Sequence, residues 1–395
     1  MPSKEANIDI FIELVRAGLF PVNGERCMVH SSIDWDEVYR LAEEQSVIGL
    51  VAAGLEHLDI RCKKPEGSST PSQEYLLKFV GRVLQTERRN KDMNAFVAEL
   101  IEKLRSAGAY GLLVKGQGVA QCYDKPLWRA CGDVDLLLDA ENYEKAKDVL
   151  APIADEVAGE NEATKHQAYV IQNFDVELHG AMPFLLSRRV DKVIAEAQRD
   201  GFYRGNVSSW QNGNTTVFIP TPDNHVIFVF THFLHHFFVE GVGLRQICDW
   251  CRLLFIYKDS LNQGLLESRI RKAGLMSEWK TFGSLAVNML GMPEDAMPFY
   301  DSRFKVKGDN VLKRVLKSGN FGQNNDLSYR TKYSGMTYKL VAMWRRLVDF
   351  ASLVPVFPLD APRFFVTYVF GKVKGVKVIM YCAREAIILL SRIFR

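Results

Sequence analysis

Residues 111–138 constrain this chain more than any other stretch. Leu112-Leu-Val114 is a short apolar run that stops at Lys115-Gly116, and Val134-Asp-Leu-Leu-Leu138 is a second. Between them a helix-like segment around Gly118 to Tyr123 leads into a loop with Lys125, Pro126 and Arg129. The order is strand, glycine turn, short helix, loop, strand. The second strand opens with Asp133 and Asp135, and alternation along a strand puts positions i and i+2 on one face. Two carboxylates side by side repel unless something neutralises them. Mg²⁺ (or Mn²⁺) suits that task, because it takes one or two carboxylates and completes its shell with waters and substrate phosphates. Alone, an Asp-x-Asp is more often a turn residue followed by a solvated strand face. The glycine turn upstream, the loop arginine and the strand that follows favour the metal.

On these residues the stretch resembles motif one of the polymerase-β-type nucleotidyltransferase superfamily. The residues concerned are Gly116-Gln117 and Gly132-Asp133-Val134-Asp135-Leu136. The longer pattern is similar to a branch of bacterial uncharacterised nucleotidyltransferases. It reads Val114-Lys115-Gly116, Tyr123-Asp-Lys-Pro126, Arg129 and Asp133-Val-Asp-Leu-Leu137. The resemblance spans roughly residues 75–330 and is most specific at motif one. It implies an α+β fold, a polymerase-β-like core of a small mixed sheet with helices, flanked by N- and C-terminal helical regions. It also implies that Asp133 and Asp135 bind the metal, while Lys115, Gly116, Gln117 and Arg129 hold the phosphates of a nucleoside triphosphate such as ATP. Gln117 stands where many active relatives carry Ser, a departure at the phosphate-binding turn.

Downstream, residues 164–172 and 174–180 read as strands joined at Asn173, and Asp175, Glu177 and His179 share one face of the second. The bland reading is a solvated strand face. The family's pattern falls on Glu177-Leu178-His179, which makes Glu177 the candidate third carboxylate, as metal ligand or general base, with Asp175 in reserve. His179 would orient a carboxylate or contact substrate. Trp210 to Ile219 reads as an extended excursion with Asn212-Gly213 as its turn. An apolar helix, Val226 to Val239, follows and carries His232, His235 and His236. His232 and His236 have i, i+4 spacing, yet no Glu lies between them as in zinc proteases. The resemblance instead sets this helix before Arg245-Gln-Ile-Cys-Asp249. Arg245 and Asp249 either pair with each other or line the cleft, Arg245 toward a triphosphate. Cys248 and Cys251 read as buried packing.

The spacing predicts helices over residues 7–19, 35–57 and 74–107, with 60–73 as a linker and Arg88-Arg89 on a solvated face. Four segments result: an N-terminal helical region (1–72), the transferase core (73–200), a helical domain (201–330) and a basic amphipathic segment (331–395). From residue 361 onward seven basic residues face Glu385 alone, apart from apolar neighbours. Such a segment suits the surface of an anionic membrane or a partner protein; it equally suits packing back on the helical half. A net charge of +3 is too small to argue for nucleic-acid binding. Seven scattered cysteines and the lack of a leader pattern or a long apolar run lead us to expect a cytoplasmic protein, peripheral at most at the inner membrane face. The expected activity is Mg²⁺-dependent transfer of a nucleoside monophosphate from a nucleoside triphosphate to a hydroxyl acceptor, a small molecule or protein in preference to RNA. The alternative is an inactive scaffold of the same fold.

Overall fold

The computed structural model describes residues 4–20, 33–61, 71–162, 165–182, 186–325, 332 and 334–372. Three helices come first: α1 (Lys4–Leu19), α2 (Trp35–Glu44) and α3 (Ile48–Arg61). Periodicity runs unbroken from 35 to 57, but the chain turns between α2 and α3 at Ser46, which takes a φ of 56°. Asp34 starts α2 by accepting the Glu37 N–H at 3.2 Å. Most of the linker expected at 60–73 lies outside the described residues. Helix α4 (Gln73–Ser106) then runs 34 residues. Its second half buries Met93, Phe96, Val97, Leu100, Ile101 and Leu104 against the sheet, and Arg88 and Arg89 are exposed.

The sheet has five strands in the order β1-β2-β5-β4-β3. These are β1 (Leu112–Leu113), β2 (Asp133–Leu137), β3 (Glu156–Val157), β4 (His166–Ile171) and β5 (Phe174–His179). Strand β2 runs parallel to β5 and antiparallel to β1, and β4 is antiparallel to both β5 and β3. The short helix α5 (Gln117–Ala120) fills the β1–β2 connection, and α6 (Ala140–Leu150) follows β2 behind an Asp139 cap. Gln172 and Asn173 turn β4 into β5 with φ values of 51° and 65°, the backbone a two-residue hairpin requires.

Helix α7 (Arg188–Arg204) leads to a hairpin of β6 (Val207–Asn212) and β7 (Thr215–Pro220). Its turn residues are Gly213 and Asn214, one position later than the sequence suggests, because Asn212 pairs with Thr215 and spends its amide on the Asn94 carbonyl at 2.7 Å. The helical half follows with α8 (Pro222–Val239), α9 (Leu244–Tyr257), α10 (Gln263–Ala273), α11 (Met276–Asn288), α12 (Lys305–Ser318), α13 (Gly335–Ala351) and α14 (Asp360–Lys372). Helix α8 is apolar nearly all round, which marks a central helix. Its Phe230 meets Trp250, Trp279 and Phe282 at ring distances of 5.2, 4.8 and 6.4 Å. These helices share one core with α1, α2 and α3. The opening of the basic C-terminal segment packs back on this core: Phe364 of α14 lies 4.8 Å from the Phe238 ring. Residues 373–395, which carry most of the basic, apolar pattern expected to dock, lie outside the described residues. No helix among the described residues is long and apolar enough to cross a membrane.

One close approach ties the N-terminal helices to the site. Gly49 of α3 sits against the loop after α5, where an added Cβ would come within 2.1 Å of the Trp128 carbonyl oxygen. Gly49→Ala must therefore push the Arg129 loop away. A loss of about 1–3 kcal/mol is expected from such overpacking, read as a lower urea midpoint with an unchanged slope.

Candidate functional site

Strand pairing assembles the centre of the site. Parallel β2 and β5 are in register with Asp133 opposite Asp175 and Asp135 opposite Glu177. Partners in register share a face, so Asp135 and Glu177 stand side by side with Asp133 two residues away. The carboxylate oxygens of Asp133, Asp135 and Glu177 all lie within 4.8 Å of one another. Asp135 has 0% exposure. Its Oδ1 takes Lys115 Nζ at 2.6 Å and His179 Nε2 at 2.9 Å, while its buried Oδ2 has no hydrogen-bond partner. An orphaned carboxylate oxygen beside two further carboxylates fits a divalent cation with oxygen ligands.

The electrostatics record the crowding. Repulsion from Asp135, with burial, raises the Asp133 pKa above its ordinary 3.8. Burial also works against ionised Asp135, but Lys115 and His179 outweigh it and hold that carboxyl below the usual range. Hydrogen bonds from His166 and His179 drive Glu177 well below its ordinary value. Burial likewise opposes a charged Lys115, yet Asp135 and Asp133 keep its pKa raised.

The rest of the site comes from the glycine turn, its loop and the helical half. Gly116 takes a φ of 58°, and an added Cβ would crowd the Asp133 carbonyl at 3.1 Å; glycine is required there. The Gln117 side chain is buried, with its amide against Met93 Sδ, and so points away from the carboxylates. Arg129 is buried in a two-pronged ion pair with Asp249, at 2.7 and 2.6 Å, and Tyr123 Oη donates to the same carboxylate at 2.7 Å. Asp249 therefore pairs with Arg129 and not with Arg245. Arg245 instead donates to the Ala130 carbonyl at 2.6 Å, and its buried Nε has no hydrogen-bond partner. A cleft of about 480 Å³ is bounded by Lys115, Gly116, Asp133, Arg129, His232 and Arg245.

From that cleft a chain of hydrogen bonds leads outward. Lys115 Nζ donates to His232 Nε2 at 3.2 Å, His236 Nε2 lies 3.2 Å from the same atom, and His236 Nδ1 reaches Glu240 at 3.1 Å. Burial, then Lys115, holds His232 well below its ordinary pKa, which suits a neutral ring that accepts the lysine's hydrogen bond. His232 and His236 thus extend the lysine rather than face a metal. Asp175 is exposed and stands outside the grouped carboxylates.

Three contributors escape sequence reasoning. Asn90, buried on α4, holds the carbonyls of Leu127 and Arg129 at 2.8 and 2.7 Å and fixes the loop. Tyr123 supports Asp249. His166 reaches Glu177 Oε2 from β4 at 3.2 Å. Each role depends on a partner distant in sequence; Tyr123 stands in the Tyr123-Asp-Lys-Pro126 pattern, but nothing local names Asp249 as its partner.

A family model described as "Uncharacterised nucleotidyltransferase" matches residues 31–291, more than half of the 395-residue chain. The chain belongs to this nucleotidyltransferase family. No curated protein and no solved structure matches it. The span matched by the nucleotidyltransferase model contains the whole five-stranded sheet, the β6–β7 hairpin and the helices α8 and α9 that carry His232, Arg245 and Asp249. Helices α12, α13 and α14 fall beyond it.

The raised Asp133 pKa gives a sign that can be measured. A carboxyl with a folded-state pKa above 3.8 binds its proton more tightly in the folded than in the unfolded chain. Its contribution to stability is therefore lost as pH rises through that window. At pH 7 without metal, Asp133→Asn should melt at a higher temperature than the wild type. Added Mg²⁺ should raise the wild-type melting temperature and leave that of the variant nearly unchanged.

Proposed function

We propose that this nucleotidyltransferase carries a polymerase-β-like catalytic core and transfers a nucleoside monophosphate from a nucleoside triphosphate to a hydroxyl acceptor. The observation that carries the reading is the β2–β5 register, which sets Glu177 beside Asp135 and gathers three carboxylates, of which Asp133 lines the cleft with Lys115 and Arg245. Asp133, Asp135 and Glu177 would hold Mg²⁺. Divalent cations bound there would neutralise the triphosphate and stabilise the attacking and leaving oxygens of an in-line displacement.

The chain's own groups supply the rest. Lys115, raised in pKa and pinned between Asp135 and His232, stays charged and meets the phosphate oxygens. Arg245 offers a second cation at the cleft, with a buried N–H still unspent. Arg129 acts through Asp249 and the loop it anchors. Glu177, with its depressed pKa, suits holding a cation better than accepting the acceptor's proton. The transfer forms an oxygen–phosphorus bond at the α-phosphate, breaks the α–β phosphoanhydride bond and releases pyrophosphate, with the hydroxyl's proton passing to solvent.

The competing reading is a binding module that keeps the fold without turnover. It draws on Gln117 and Arg129 being spent on internal contacts. Calorimetry with ATP, GTP, CTP and UTP in Mg²⁺ separates the two. A live site binds one nucleotide only when Mg²⁺ is present and loses it in Asp133→Asn/Asp135→Asn; no binding by any nucleotide favours the module. Lys115→Ala should weaken nucleotide binding roughly 10- to 100-fold, the worth of one hydrogen bond to a charged group.

A further inference from the structure

Glu177 belongs to a second cluster as well. Strand β4 pairs with β5 so that His166 lies directly opposite His179, and Glu177 precedes His179 by two positions on the same face. All three side chains point into one space, and their ligand atoms fall within 4.8 Å of one another. His166 Nε2 is 3.2 Å and His179 Nε2 3.4 Å from the same oxygen, Glu177 Oε2. His179 Nε2 also approaches Asp135 Oδ1 at 2.9 Å.

Hydrogen bonding accounts for one contact per histidine, His166 to Glu177 and His179 to Asp135, and leaves the approach of His179 to Glu177 at 3.4 Å over. A single N–H on His179 Nε2 cannot point in line at both Asp135 and Glu177, and a second imidazole nitrogen converges on the oxygen it would share. The spacing also suits a metal. Ligands bound at 2.0–2.2 Å around a tetrahedral ion are separated by about 3.3–3.6 Å, and the two nitrogen–oxygen separations straddle the lower end of that range. His166 and Glu177 retain 35% and 30% side-chain exposure, so an ion has a way in and room for a further water or substrate ligand.

We propose that His166, His179 and Glu177 form a site for a nitrogen-preferring divalent transition metal, zinc foremost. It is separate from the oxygen-only group of Asp133, Asp135 and Glu177 and joined to it through Glu177. Imidazole donors select against Mg²⁺ and for zinc-like ions, so the two sites differ in the metal they take. The ion pins the β4–β5 hairpin and fixes the orientation of Glu177 toward the carboxylate group. The assignment rests on the histidine geometry and stands whatever the protein transfers.

The test is zinc titration of the full chain by calorimetry, in excess Mg²⁺, on wild type, His166→Ala, His166→Asn and Asp133→Asn, with thermal melts to verify folding. One zinc per chain that millimolar-range Mg²⁺ does not displace is expected. Binding should weaken about a hundredfold or more in both His166 variants and persist in Asp133→Asn. X-ray absorption on the wild-type zinc form needs no variant and should report two nitrogen donors. Absence of zinc binding under Mg²⁺, or binding lost in Asp133→Asn and untouched in the His166 variants, overturns the proposal. Zinc bound through His166 with no nucleotide bound would sink the transferase reading and leave this site standing.

Discussion

Asp135 is a carboxylate with no exposed surface, and much of the molecule is arranged around what that costs. An ion removed from water loses several kcal/mol of hydration unless charge and hydrogen bonds replace it. Lys115 in the turn after β1 and His179 at the end of β5 supply part of the replacement. Both reach Asp135 only because β1, β2 and β5 are adjacent strands. The remaining oxygen is left bare, which fits a shared cation.

A second buried ion pair ties this centre to the helical half. Asp249 on α9 grips Arg129 with both oxygens and takes the Tyr123 hydroxyl as well. The helices are thereby joined to the loop that precedes β2. Arg252, one turn further along α9, adds the Cys122 carbonyl and Asp124 at 2.7 Å each. The segment between the glycine turn and β2 is thus held from the side by α9 and from below by Asn90 of α4. A charged, polar loop is fixed in place by paired side chains rather than by a hydrophobic core of its own.

Part of this was legible in the chain. Asp133 and Asp135 could be assigned to one strand face because alternation is a local property of β-structure. Alternation likewise put Glu177 on one face with Asp175 and His179, the family resemblance chose it among them, and Gly116 was marked as a turn because only glycine takes that backbone angle freely. The join of β4 and β5 at Asn173 was equally local. Other assignments depended on partners. Arg129 looked like a phosphate ligand from its place in the motif, yet Asp249, 120 residues away, claims it. The helical pattern over 35–57 contained a break at Ser46 that periodicity does not register.

The sequence by itself determined which residues carry charge, which face of each strand they occupy and where the backbone must turn, since these follow from spacing and residue type. Only the tertiary structure decided which of those faces meet. The parallel pairing of β2 with β5 brought Glu177 to Asp135, the antiparallel pairing of β4 brought His166 to Glu177, and the packing of α9 chose Arg129 over Arg245 as the partner of Asp249. Strand order and helix docking are set by burial summed over the whole core. No window of neighbouring residues contains that sum.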